Sequence, residues 1–230
     1  MIREEEQSFL IVKGSTAFLY INDFNDILHH KNEIDENISK DEIIVLTIIW
    51  NSSNIASSIS KDQRLEIHRW FNSLEILSIA VVDNLCSGDL LELIMLCDIR
   101  LGGNNLSIQF PDSESEFVFN FEERCQLLMG NKRNIHNYSG LLGKILNPDE
   151  VYNLGLINKA IDIEDMVNEV QNYINKIIGS KNNNQVKAII RCFNNYKQFG
   201  LNSNEELLLE QESKQFCKLI LKEYLKKEDM

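Results

Sequence analysis

The sequence predicts an α/β protein with helices packed on short sheets, followed by an α-helical region. Three observations predict it. Strand-like and helix-like runs follow one another as strand-strand-helix, strand-helix, strand-helix. Two runs, EIIVLTIIW (42–50) and SIAVV (78–82), are almost unbroken in apolar character, as strands covered on both faces are. From about residue 163 onward the apolar residues recur at helical spacing.

Taken in order, FLIVKGSTAFLYI (9–21) reads as two short strands around the Lys13-Gly14-Ser15 turn. FNDILHHKNEIDENIS (24–39) places Phe24, Ile27, Leu28 and Ile34 on one helical face. The strand at 42–50 runs into a polar loop of small residues, 51–60. KDQRLEIHRWFNSL (61–74) is an amphipathic helix, and 78–82 is a second buried strand. A turn at 84–89 leads into a helix from about 88 to 97, and DIRLGG and LSIQF follow as short strands closed by Pro111. Residues 112–135 are acidic and then mixed, with no clear period. In NPDEVYNLG (147–155), Asn147 is an N-cap, Pro148 takes the first helical position and Gly155 falls just past the end. LINKAI then reads as a strand, and 163–179, 184–198 and 202–226 as helices. Gly179 and the Lys-Asn-Asn-Asn run mark a break, dividing a core at 1–180 from a helical region at 181–230.

Composition excludes several classes. The 230 residues suit one core with a helical tail, and 43% hydrophobic content is that of a globular chain. A net charge of −12 argues against a broad basic surface for nucleic acid or anionic lipid. No apolar run is long enough to span a membrane, and the acidic start MIREEEQSFLIV is not a secretory signal. The five scattered cysteines form no CxxC pair and no zinc spacing, which suits free thiols in a reducing cytoplasm and no metal site.

The chemistry concentrates in NLCSGDLLELIMLCDIR (84–100). A small-residue turn enters an apolar helix that carries one carboxylate, Glu92. A charged group on such a segment is paired or used. Its leucine-rich surround is expected to raise its pKa by desolvation, which suits proton transfer near neutrality. Two readings stand side by side: an acid/base, or an idle carboxylate paired with a cation such as Arg100. His29, His30, His68 and His136 lie on unrelated segments and read as surface or half-buried, and Cys86 reads as a small space-filling residue.

SIAVVDNLCSGDLLELIMLCDIRLGGNNLSIQFPD (78–112) resembles the central signature of the crotonase superfamily, the enoyl-CoA hydratases and isomerases. GKILNPDEVYNLGLINKAI (143–161) resembles a second family segment, in family order and near family spacing, and the tail resembles the family's C-terminal helices. Together the likeness covers about three quarters of the chain. It implies a crotonase-like spiral of ββα units with an α-helical C-terminal trimerisation region, assembled as a trimer or hexamer. An apolar stripe of Leu207, Leu208, Leu209, Phe216, Leu219 and Ile220 fits that association.

The resemblance also implies a mechanism and site residues. The family stabilises a thioester enolate with two backbone N–H groups, and here these fall on Ser58 and Asp89. Ala56, Ser57 and Gly88 fall beside them at substrate-binding positions. Glu92 falls on the first catalytic glutamate, and Asp112 on the second with a shorter reach. For Asp112 a turn residue that accepts local backbone bonds is an equal reading. The implied substrate is an acyl-CoA or acyl-carrier-protein thioester, with coenzyme A as part of the substrate and no other cofactor.

The chain also departs from the family. Gly88-Asp89-Leu90 stands where the family has three glycines, an early family segment is missing, and SESEFVFNFEERCQLL replaces a glycine-rich stretch. The short N-terminus, the WFNSLEILSIAVV lead-in and the small-residue turn resemble more narrowly the small crotonase-like accessory proteins of dihydroxyphenylglycine biosynthesis, which work beside a type III polyketide synthase. Two functions therefore follow: an enoyl-CoA hydratase/isomerase-like enzyme, or a degenerate, non-catalytic helper subunit of a biosynthetic complex.

Overall fold

A computed structural model describes residues 8–50, 59–110, 143–179 and 181–190. Strands β1 (Phe9–Lys13) and β2 (Thr16–Ile21) lead to helix α1 (Asn25–Ser39), then β3 (Val45–Trp50), α2 (Lys61–Ser73) and β4 (Leu77–Val82). The chain continues through β5 (Leu85–Cys86), α3 (Gly88–Leu96), β6 (Ile99–Gly102) and β7 (Ser107–Gln109). The second motif segment holds β8 (Ile145–Leu146), α4 (Pro148–Leu154) and β9 (Lys159–Ala160), and α5 (Met166–Ile178) follows.

Among the described residues the strands form two sheets. One is six-stranded in the order β1-β2-β3-β4-β6-β9, with β1 and β2 antiparallel and every other pair parallel. The other is β5-β7-β8. Parallel neighbours require crossovers, and α1, α2 and α3 supply them. The expected α/β class is therefore observed.

The large sheet divides the core, which explains the unbroken apolar runs. Leu46 and Ile48 of β3 point into one cluster with Ile27, Trp70, Leu91 and Leu93 of α1–α3. Val45 and Ile49, the alternate residues, point into a second cluster with Val170 and Ile174 of α5. β4 divides the same way, Ala80 and Val82 on the first side and Ile79 and Val81 on the second. A strand buried on both faces has no polar face to show. Residues 183–190 are helical, and their Val186 and Ile190 join α5 on that second face.

Capping fixes several ends. At α4, Asn147 Oδ1 accepts from the Glu150 N–H at 3.0 Å and Glu150 accepts back from the Asn147 N–H at 2.9 Å. Pro148 is at the start, and Gly155 closes the helix in the left-handed region at φ 79°.

Several boundaries differ from expectation: LINKAI (156–161), for one, is strand only at Lys159–Ala160. β3 starts at Val45 rather than 42, because residues 40–42 are spent on the end of α1. There the N–H groups of Lys40, Asp41 and Glu42 donate to the carbonyls of Glu36, Ile38 and Asn37, with Asp41 at φ 58°. α5 starts at Met166 rather than 163, because Asp162 accepts from the Glu164 N–H in an Asx turn. The expected turn at 84–89 contains a two-residue strand, β5, paired with β7.

Gly103 follows β6 where a side chain has no room. An added Cβ would lie 1.9 Å from Asp83 Oδ1 and 2.5 Å from Ile163 Cγ1. Asp83 in turn accepts from the backbone and side-chain N–H groups of Asn105, each at 2.9 Å. Gly103→Ala therefore displaces Asp83 and breaks this turn. Thermal unfolding is expected to report a loss of about 1–3 kcal/mol, and an unchanged midpoint would refute the tight packing.

Candidate active site

The candidate site lies where α2 packs on α3. Helix α2 is started by a capping box: Ser60 Oγ accepts from the Gln63 N–H, and the Gln63 side chain accepts from the Ser60 N–H. Its buried stripe is Ile67, Trp70 and Phe71. Arg64 and His68, one turn apart, flank Ile67 and line the crevice against α3.

Helix α3 is buried from Leu90 through Leu96, Glu92 included. Gly88 opens it at φ 50°, a conformation costly for any residue with a Cβ, while the space around its missing side chain is open. Glycine is thus required there by the backbone and not by crowding. Ser87 at the N-cap makes no side-chain capping bond, so the first N–H groups of α3 are left to other acceptors.

Three charged groups meet in the crevice. Arg64 Nη1 is 2.9 Å from Asp89 Oδ1 and 3.8 Å from Glu92 Oε2. The Glu92 side chain is 7% exposed, against 20% for Asp89 and 23% for Arg64. Asp89 and Glu92 share one face of α3 because they are three residues apart. Among the described residues, one guanidinium thus stands against two carboxyl groups. The remaining lining is apolar, from Phe24, Ile59, Ile67, Leu93 and Leu96, with His68 at the side. The cavity is about 10 Å3, on the order of one water.

Of the residues proposed from sequence, the structure brings Gly88, Asp89 and Glu92 together. Ala56, Ser57, Ser58 and Asp112 lie outside the described residues. Among the described residues, the cation beside Glu92 is Arg64; the idle reading expects Arg100 there. His68, expected on an unrelated segment, lines the same crevice. The signal for both was their spacing around Ile67, which puts them on the edge of the buried stripe of α2. It did not say which helix that edge would face.

Arg100 has a different task. It is 4% exposed, with Nε donating to the Leu156 carbonyl at 2.7 Å and Nη1 to the Cys97 carbonyl at 2.8 Å. Its own N–H donates to Asn158 Oδ1 at 2.8 Å. Cys97 is the C-cap of α3, so Arg100 ties the end of the Glu92 helix to the 156–158 segment. At the other side of β4, Asp98 Oδ2 accepts from the N–H and hydroxyl of Ser78 at 2.9 and 2.6 Å. The Cys-Asp-Ile-Arg stretch is thus the anchor of α3.

Cys86, just before the turn, is fully buried, and burial pushes its thiol well above the usual range. The protonated thiol is a poor nucleophile. Iodoacetamide at mildly alkaline pH is expected to leave Cys86 unmodified in the native protein and to alkylate it after unfolding, as read by peptide mass mapping. Alkylation of Cys86 in the native protein would contradict this burial. Among the described residues, no group of three or more His, Cys, Asp or Glu is placed to hold a metal ion. No described helix is long and apolar enough to cross a membrane.

No protein-family model and no curated protein sequence matches the chain. Solved structures do match, and they define the fold as that of enoyl-CoA hydratase/isomerase structures. A probable enoyl-CoA hydratase/isomerase from Mycobacterium abscessus superposes with a TM-score of 0.72 at 13% identity, over 93% of this chain and 91% of that one. An enoyl-CoA hydratase from Thermoplasma volcanium gives 0.68 at 19% identity, over 93% and 92%. DspI from Pseudomonas aeruginosa gives 0.69 at 15% identity, over 96% and 98%.

Proposed function

We propose that the chain binds an acyl thioester, of coenzyme A or of an acyl-carrier protein, and processes it through an enolate by hydration, dehydration or isomerisation. The observation that carries this reading is Glu92. It is a carboxylate buried one turn inside a helix that opens on a left-handed glycine, in a fold shared with enoyl-CoA hydratases.

Each part has a physical role. The thioester oxygen takes the N–H of Asp89, where the α3 dipole favours developing negative charge, and the N–H of Ser58 completes the pair. Ala56, Ser57 and Gly88 border the acyl group. In hydration, water adds its oxygen to the β carbon while Glu92 takes its proton, and the enolate collects a proton at the α carbon. Asp112 assists the proton transfers. Coenzyme A enters as part of the substrate, and no further cofactor is needed for these steps. Self-association through 181–230 as a trimer or hexamer, a cytoplasmic location and work beside a polyketide synthase belong to the same reading. Its support is the sequence resemblance and the apolar stripe from Leu207 to Ile220. Light scattering on the full chain should then give three or six copies, and a monomer at micromolar concentration would contradict the assembly.

A specific observation favours a second reading, a helper subunit with little chemistry of its own. Among the described residues, Arg64 and its two carboxylates line the α2–α3 crevice, whose cavity of about 10 Å3 is small for an acyl group. Incubation with crotonyl-CoA and with 3-hydroxybutyryl-CoA, followed by mass spectrometry, separates the two. Gain or loss of one water, or an isobaric product resolved by chromatography, supports the enzyme; binding without conversion of either compound supports the helper.

A further inference from the structure

Asp89 presents a difficulty for an enolate-forming site. The residue whose backbone N–H receives the oxyanion carries a carboxylate, and a like charge beside a developing anion opposes it. The structure contains the counterweight. Arg64 reaches across from α2, and Nη1 stands 2.9 Å from Asp89 Oδ1 and 3.8 Å from Glu92 Oε2. All three side chains are mostly withdrawn from water, so their interaction is weakly screened. Among the described residues, the charged or titratable groups that line the crevice with Glu92 are Arg64 and His68 from α2 and Asp89 from α3. The Phe24 and Ile59 segments contribute apolar side chains there.

We propose that Arg64 is the positioning residue of this site: it holds the Asp89 carboxylate against α2, offsets its charge beside the oxyanion N–H, and keeps Glu92 ionised as the proton acceptor. This deepens the thioester reading and rests on it. Both carboxylates thus face one nitrogen, Nη1, of the same guanidinium.

The test uses the full-length protein labelled with 13C at the Asp and Glu carboxyls, with the Glu92 resonance identified by its loss in Glu92→Gln. Arg64→Met is expected to raise the Glu92 titration midpoint by about one pH unit or more, the effect of removing an opposite charge at this range. Arg64→Met combined with Asp89→Asn should bring the midpoint at least half-way back. The second readout is the ultraviolet enolate band of bound acetoacetyl-CoA. It should fall about tenfold in Arg64→Met, a loss typical of one misplaced electrostatic group, and recover in the double variant.

Arg64→Gln replaces Arg64→Met if the latter lacks a cooperative thermal transition. An unchanged Glu92 midpoint in a folded Arg64 variant overturns the proposal, as does an enolate band lost in that variant and not recovered with Asp89→Asn. If the wild-type chain gives no enolate band at all, the thioester reading falls, and the carboxyl titration still decides what Arg64 does.

Discussion

Glu92→Gln cuts thioester turnover by about 100-fold or more, the usual scale for removing a general acid/base, and leaves the fold intact. The substitution keeps the shape of a buried side chain and removes only its ionisable group. The neighbour Arg64 retains Asp89 at 2.9 Å, so the guanidinium is not stranded. Affinity for the thioester should change little, because Glu92 acts in the proton transfers and not in holding the carbonyl. Steady-state kinetics with the converted thioester checks the rate, and a thermal melt checks the fold. Full activity in the variant would leave Glu92 with a structural role alone, as one of two carboxylates paired with Arg64.

Arg100→Met destabilises the protein by about 3 kcal/mol, because two buried carbonyls lose their donors. These are Leu156 O and Cys97 O, which Arg100 now bonds at 2.7 and 2.8 Å. Methionine fills much of the volume, so the loss reports the hydrogen bonds more than a cavity. In a chain of this size the thermal midpoint should drop by roughly 10 °C. Arg100→Lys should recover only part of this, since one ammonium cannot reproduce the fork that reaches both carbonyls. A melt unchanged in Arg100→Met would mean that the anchor of α3 lies elsewhere, and the link drawn between the 78–112 and 143–161 segments would fail.

The parts of the fold written in local chemistry were legible. β3 and β4 were visible as apolar runs because both of their faces are covered, and α4 was visible residue by residue from Asn147, Pro148 and Gly155. Glu92 stood out because burial of a charge contradicts the leucine-rich helix around it. Other features depend on contacts distant in sequence. β5 is two residues long and exists only through its pairing with Ser107 and Ile108. Arg64 becomes a site residue only when α2 docks on α3, twenty-five residues from Asp89 along the chain. The amphipathic period of α2 shows which face is buried and leaves its edge partners open. Arg100, the expected partner of an idle Glu92, is drawn instead to backbone carbonyls, which local spacing does not reveal.

In the thioester reading, α3 and its glycine turn receive a thioester carbonyl. Difference infrared spectroscopy with crotonyl-CoA carrying 13C at the thioester carbonyl measures this directly on the full chain. Saturable binding is expected, with the carbonyl band moved to lower frequency as oxyanion donors polarise the C=O bond, and with the same shift in Glu92→Gln, which keeps the donors. Absence of binding, or binding with the band at its solution frequency, would contradict the thioester reading.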